Sequence, residues 1–184
     1  VVTSTTHKTL CGLRGGLILA KGQYADKLDN SALPLSQSGT LEHVVAAKAI
    51  AFREAMTPGF KDYIKRVILN AQSMTKTFNQ SRKIRVVSNS IENHEIILDI
   101  QKNNLTSEQG ADLLYSIGIA TNKGLLPNEK ENVMEGLRIG TPTITSHNFN
   151  EKDAERIAQI IVAILEKQDT ETLRLAKKEV QSIT

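Results

Sequence analysis

Val1-Val2-Thr3-Ser4-Thr5-Thr6-His7-Lys8-Thr9-Leu10 opens the chain, with Gly12 and Arg14-Gly15-Gly16 close behind. Two β-branched residues lead into a run of hydroxyl side chains, then a histidine and a lysine, then glycines, then the apolar run Leu17-Ile18-Leu19. This order predicts a strand, a polar strand end, a turn and a second strand. The strand end gathers hydroxyl donors, an imidazole, an amine and glycines whose backbone N–H groups can approach an anion. A lysine in such a pocket beside another cation can have its pKa lowered, and a neutral amine can attack a carbonyl to form a Schiff base. The plainer reading is a solvated Lys8 with hydroxyls that cap a turn. On spacing alone the plainer reading is favoured.

Beyond this stretch the period of the apolar residues changes twice. A short polar helix is predicted over 23–32, with Tyr24, Leu28 and Ala32 on one face, and a Pro, Ser and Gly loop follows over 33–40. A helix over 41–56 carries the apolar stripe Leu41, Val45, Ala49, Phe52 and Met56. Thr57 then serves as N-cap and Pro58 as first residue of another helix, with Phe60, Tyr63, Ile64, Val67, Ile68, Ala71, Met74 and Phe78 at core spacing. The polar stretch 79–83 predicts a boundary between two structural halves. After it Ile84 and Val86, then Ile96, Leu98 and Ile100, alternate as strands do. Thr106 and Gln109 fit a capping box, and Gly118 a helix C-terminus. Short strands are predicted at 119–121 and 137–139, and two helices capped by Asn150 and Asp169 close the chain.

Composition excludes several classes of function. The 184 residues are 40% hydrophobic with a net charge of +3, enough apolar content for a real core. The basic residues are scattered, and tryptophan is absent, which argues against a nucleic-acid surface. No apolar run reaches the ~20 residues that span a bilayer. The single cysteine, Cys11, cannot form an internal disulfide, as suits a reducing compartment. The histidines and Cys11 lack metal-ligand spacing, so no metal is expected. A soluble, cytoplasmic globular protein follows as the expectation. The chain starts without methionine inside a predicted strand, which predicts a fragment or a processed chain.

Three further runs bear on chemistry. Gly136-Leu137-Arg138-Ile139-Gly140-Thr141-Pro142 sets an arginine between glycines at a short strand. Its planar fork suits bidentate capture of a carboxylate, and a structural arginine tied to a backbone carbonyl is the equal alternative. Gln37-Ser38-Gly39-Thr40-Leu41-Glu42-His43 precedes a helix whose N-terminal N–H groups could cradle a phosphate, although an ordinary N-cap leads by frequency. Ser88-Asn89-Ser90-Ile91-Glu92-Asn93-His94 reads as a turn; His94 is either a ligand or base or, more often, a turn-stabilising residue. His147 lies in a polar loop with no partner visible in the sequence.

These motifs together resemble the serine hydroxymethyltransferase family, in register from Val1 to about Lys167. Thr5-Thr6-His7-Lys8-Thr9-Leu10, with Gly12, Arg14, Gly15 and Gly16, is similar to the family's pyridoxal-phosphate lysine motif. Gly136 to Pro142 is similar to the segment whose arginine binds the amino-acid carboxylate. Ala46-Ala47-Lys48-Ala49 falls in the linking helix, and Asn93 and His94 match the family's Ser-Gly-Gly-Thr-Asp-Asn-His turn. Departures are specific: Leu13 stands for a proline, Ser38 for a glycine, Thr40 for a proline, Glu42 for a methionine and Gly124 for a folate-associated asparagine. A folate-contacting loop is replaced by residues 128–135.

The resemblance implies the C-terminal part of a fold-type I pyridoxal-phosphate enzyme of α/β class. Residues 1–40 would close the large cofactor domain, 41–80 would form connecting helices, and 81–184 a small α/β domain. The implied activity is interconversion of serine and glycine with tetrahydrofolate. Lys8 would hold pyridoxal phosphate covalently, His7 would orient it, and Thr5 would hydrogen-bond near the substrate. Arg14 would order the lysine turn, Ser38 and Gly39 would contact the phosphate of the neighbouring subunit in a homodimer, and Arg138 would bind the substrate carboxylate. The family's pyridine-pairing aspartate and ring-stacking histidine would lie upstream of Val1, so the isolated chain is expected to show no turnover. A folate-independent β-hydroxy-amino-acid aldolase or transaldolase and a non-catalytic paralogue are the alternatives.

Overall fold

A computed structural model describes residues 1–88, 91–127 and 136–183. Residues 89 and 90 of the Ser88 to His94 turn, and the whole 128–135 loop, lie outside the described residues. The chain divides into two compact units, Val1–Asp62 and Tyr63–Thr184.

In the first unit, β1 (Val2–Thr5) and β2 (Gly16–Leu19) pair antiparallel, with Thr5 opposite Gly16. The helix expected over 23–32 is split: a 3-10 turn over Gly22–Tyr24 leads into α1 (Ala25–Asn30), then a wide helical turn over Ser31–Ser36. Leu33 leaves the helical region (φ −132°, ψ 123°), which agrees with the bias a following proline imposes. Next comes α2 (Glu42–Ala55), as its period predicts. Its stripe is not a core within this chain: Leu41, Val45, Phe52 and Met56 are exposed, and Ala51 is the buried apolar residue of the unit among those described. The pattern correctly finds the helix but cannot say what covers it.

Helix α3 (Pro58–Phe78) begins where Thr57 accepts the Phe60 N–H on its hydroxyl at 3.3 Å, as expected of an N-cap. The division between the units falls inside this helix, and the 79–83 turn joins it to β3 within the second unit. The second unit holds a four-stranded antiparallel sheet in the order β3 (Arg85–Val86), β4 (Glu95–Asp99), β6 (Gly136–Gly140), β5 (Asn122–Gly124). Alternation sends Val86, Ile96, Leu98, Leu137 and Ile139 inward. They pack into one core with Ala71, Met74 and Phe78 of α3, Leu114 of α4 (Ser107–Ser116), Ala158, Ile161 and Ile164 of α6 (Glu151–Lys167), and Ala176 of α7 (Thr170–Ile183).

Caps fix the helix ends. Thr106 and Gln109 form the expected capping box at α4, and Asn150 forms a second with Asp153 at α6. Gly118 leaves α4 at φ +96°, and the Ile119 N–H then bonds the Leu114 carbonyl at 2.9 Å. This exit consumes the residues expected to form a strand at 119–121, so the edge strand starts only at Asn122.

A buried polar chain ties α3 to the end of β6. The Thr141 hydroxyl donates to the Val67 carbonyl (2.8 Å), and Thr145 donates to the Thr141 carbonyl (2.8 Å) from α5 (Pro142–Ser146). Asn70 Nδ2 donates to Thr145 Oγ1 (2.9 Å) and to the Phe149 carbonyl (3.0 Å). Asn70→Ala removes both of these hydrogen bonds and should cost about 1–3 kcal/mol of stability in denaturant unfolding.

Asp169 caps α7 by accepting the Thr172 N–H (2.8 Å) and hydroxyl (2.7 Å). These bonds, the backbone one foremost, hold its carboxyl below the ordinary value of 3.8. A depressed folded pKa contributes stability that is present above the unfolded value and is lost as pH falls through the folded one. In an NMR acid titration the Thr172 amide should therefore shift with a midpoint below 3.8, and Asp169→Asn should abolish that shift.

Candidate functional site

The lysine loop is the segment between β1 and β2, and one threonine closes it. Thr6 is fully buried. Its N–H donates to the Gly15 carbonyl (3.0 Å), its hydroxyl donates to the Leu13 carbonyl (2.7 Å), and its own carbonyl accepts the Gly12 N–H (2.7 Å). A side chain at Gly12 would place a Cβ 2.7 Å from that carbonyl and 2.9 Å from the Ala51 Cβ, so the close approach requires glycine. Cys11 takes a left-handed conformation (φ 55°) as the chain reverses, and its N–H bonds the Lys8 carbonyl at 2.9 Å. The reversal leaves Lys8 exposed on the loop.

His7 is turned back onto the loop. His7 Nδ1 lies 3.4 Å from the Gly15 N–H and 3.3 Å from the Gly15 carbonyl oxygen, so the ring is held against Gly15 in either tautomer. Thr5 ends β1 opposite Gly16, and Arg14 is exposed beside Leu13. Lys48 of α2 donates from Nζ to the Gly16 carbonyl at 2.9 Å, fastening the far end of the loop. His7, Lys8 and Arg14 thus share one loop, with Thr5 at the strand end that leads into it. Ser38 and Gly39 lie in the same unit, ahead of α2. Leu41 at the N-cap of α2 supplies no side-chain cap, so the ordinary capping alternative for that run is not realised.

Arg138 belongs to the second unit, at the centre of β6, paired with Ile97 of β4 and Asn122 of β5. Among the described residues no backbone carbonyl accepts a hydrogen bond from its guanidinium. Its Nη1 lies 3.6 Å from Glu95 Oε2, and both side chains are about half exposed. His94 acts through its backbone, whose carbonyl accepts the Thr141 N–H (3.2 Å), while Asn93 Oδ1 accepts the Glu95 N–H (2.8 Å). His147 does have a partner: Nδ1 lies 2.9 Å from the Thr143 carbonyl. Among the described residues no group of three or more His, Cys, Asp or Glu could hold a metal, and no helix is long and apolar enough to cross a membrane.

Sequence reasoning did not single out Thr6, Lys48 or Glu95. Thr6 sits in a run of hydroxyls, and spacing cannot separate the one that turns inward. Lys48 and Glu95 act on residues distant in sequence.

The chain is of mixed α/β class, with an exposed lysine on a hydroxyl- and glycine-rich loop of the first unit and a half-exposed arginine at the centre of the second unit's sheet. A family model for serine hydroxymethyltransferase matches residues 1–161. The serine hydroxymethyltransferase of Leuconostoc mesenteroides is 48% identical over 186 residues, covering 100% of this chain and 45% of that protein. Those of Leuconostoc citreum and Lactobacillus acidophilus are 49% and 48% identical, over 98% and 100% of this chain and 45% and 46% of theirs. The chain belongs to the serine hydroxymethyltransferase family. It spans about half the length of the curated relatives it matches.

The clamp around Lys8 is testable without substrate. Thr6→Val keeps the shape but removes the hydroxyl's hydrogen bond to the Leu13 carbonyl, a loss of about 0.5–1.5 kcal/mol. Hydrogen exchange should accelerate over residues 7–15 and stay unchanged in the second unit.

Proposed function

We propose that this chain supplies the lysine and the carboxylate clamp of a pyridoxal-phosphate-dependent serine hydroxymethyltransferase, which interconverts serine and glycine with tetrahydrofolate as one-carbon carrier. The observation that carries this is identity of 48% over the full chain to proteins named for that activity, together with an exposed Lys8 on a clamped loop. In this reading residues 1–40 end the large domain of a fold-type I enzyme, 41–80 connect, and 81–184 form the small domain. The enzyme is a cytoplasmic homodimer with sites shared across its interface.

The residues present fit the cofactor. Lys8 offers an exposed amine to its carbonyl, and the uncapped N-terminus of α2, behind Ser38 and Gly39, offers N–H groups to a phosphate. Bound there, the cofactor supplies an electron sink for bond cleavage at the amino acid's Cα. His7 orients it, with Nδ1 fixed by Gly15. Thr5 places a hydroxyl near the substrate, and Arg14 holds the lysine turn. Arg138 takes the substrate carboxylate with its planar fork. Because the similar proteins are named for the transferase, that activity is preferred to folate-independent aldol cleavage.

In the holoenzyme, Lys8→Ala should abolish retention of the cofactor's visible absorbance through dialysis. Arg138→Lys should keep that absorbance and lower kcat/KM for serine by about ten- to hundredfold, the worth of one hydrogen bond between charged groups. Retained cofactor in the first variant, or unchanged kinetics in the second, would refute the corresponding assignment.

A further inference from the structure

Arg138 stands exposed on the sheet face opposite the core. Arg138 shares it with Gly136 and Gly140 on its own strand, with Ile97 and Asn122 directly opposite, and with Glu95 and Asp99 on β4. Asp99 is engaged elsewhere: Arg85 donates to its Oδ2 from both Nε (3.3 Å) and Nη2 (3.0 Å). Glu95 is the acid that pairs with Arg138 among the described residues.

The two pairs are built differently. The Asp99 side chain is only 18% exposed and receives two hydrogen bonds from one guanidinium, a geometry that holds. Glu95 and Arg138 make one contact at 3.6 Å, too long for a hydrogen bond, between side chains 41% and 47% exposed. Among the described residues this one long contact is the ion pair of Arg138, and its fork makes no bidentate pair there. A carboxylate displaced from it also has somewhere to go. Glu95 lines a cavity of about 420 Å³ with Val87, Ser88, Asn93 and Ile97.

We infer that Glu95 is an internal stand-in for the substrate carboxylate: it occupies Arg138 in the empty site, fixes the guanidinium in place, and is displaced into the adjoining cavity when an amino acid binds. The inference rests on the reading of Arg138 as the carboxylate clamp. Binding is then an exchange of one carboxylate for another, and the weaker pair is given up for the bidentate one. Glu95 is a positioning residue that lowers the affinity of the carboxylate subsite in exchange for holding it preformed. The effect is confined to ligands that bear a carboxylate, and salt weakens it because both partners are half exposed.

The test is calorimetric titration of the holoenzyme with glycine and, in parallel, with glycinamide, which lacks the carboxylate. Glu95→Gln should tighten glycine binding by about two- to fivefold, the range for exposed ion pairs, and leave glycinamide binding unchanged. Glu95→Thr, a neutral residue suited to a strand, should behave the same way and guards against misfolding of the first variant. In steady state, KM for serine should fall in both while kcat does not rise. Glycine binding that is unchanged or weaker in both variants, or an equal shift for glycinamide, overturns the inference. Arg138→Lys separates the two layers. If it weakens glycine binding while the Glu95 variants do not tighten it, the clamp stands and the stand-in fails. If it leaves glycine binding unchanged, both fail.

Discussion

The register of β6 is the constraint on which the second unit depends. Its residues alternate between faces: Leu137 and Ile139 enter the core, and Gly136, Arg138 and Gly140 fall on the opposite face, where Leu126 packs over Gly136 and Arg138 and Gly140 are exposed. A slip of one residue would reverse every side chain, burying the guanidinium and exposing both apolar residues. Pairing with β4 on one side and β5 on the other makes such a slip costly, because five consecutive pairs with β4 would have to be remade. The core packing of Leu137 is therefore also what aims Arg138. At the strand's end Thr141 turns inward to the Val67 carbonyl, so the same strand is fastened to α3 by a bond that water cannot reach. Packing, register and chemistry are one arrangement there.

The first unit reaches precision by another route. With Ala51 as its buried apolar residue, it has little core of its own, and a two-stranded ribbon such as β1 and β2 is marginal without one. What defines the loop between the strands is hydrogen bonding. The N–H, hydroxyl and carbonyl of Thr6 are all used, each to a different point on the returning chain, and Lys48 reaches across from α2 to the Gly16 carbonyl. Such a network fixes backbone positions without covering the side chains between them. That is how His7 is held while Lys8 projects outward. A lysine on a packed strand face would be either buried or free to roam.

This difference explains what the sequence discloses. Helices α2, α3, α6 and α7 follow from apolar period and caps, and Thr106, Asn150 and Asp169 cap as their spacing predicts. Those signals are local, and local signals survive in a single chain. The exit from α4 was harder to read: Ile119, Ala120 and Thr121 have strand-like composition, but the bond from Ile119 back to Leu114 claims them for the helix end. The exposed stripe of α2 marks another limit, since amphipathic period reports a face that wants cover and not what provides it. Lys8, His7 and Arg138 stand out in the sequence as candidates because their neighbours form motifs. Thr6 and Glu95 do not, because their contacts are with chain segments that only the fold brings together.

The glycines around Arg138 show how a motif acquires a physical meaning. Read along the chain, Gly136-Leu137-Arg138-Ile139-Gly140 is an arginine between small residues, equally suited to a backbone carbonyl or a ligand. Read by face, both glycines fall on the same side as the arginine, and Gly124 joins them from β5 opposite Gly136. At Gly136 this is enforced, since a Cβ there would sit 2.8 Å from Leu126 Cδ2 and 3.1 Å from the Gly124 carbonyl. The glycine beside the guanidinium is thus required by how closely Leu126 and the edge strand pack on β6. With no long side chain beside it on its own strand, Arg138 turns to Glu95 across the strand pair. If Arg138 is the proposed carboxylate clamp, a weak, half-exposed contact is what it can tolerate, because a stronger one would compete with the ligand and a missing one would leave the guanidinium unplaced.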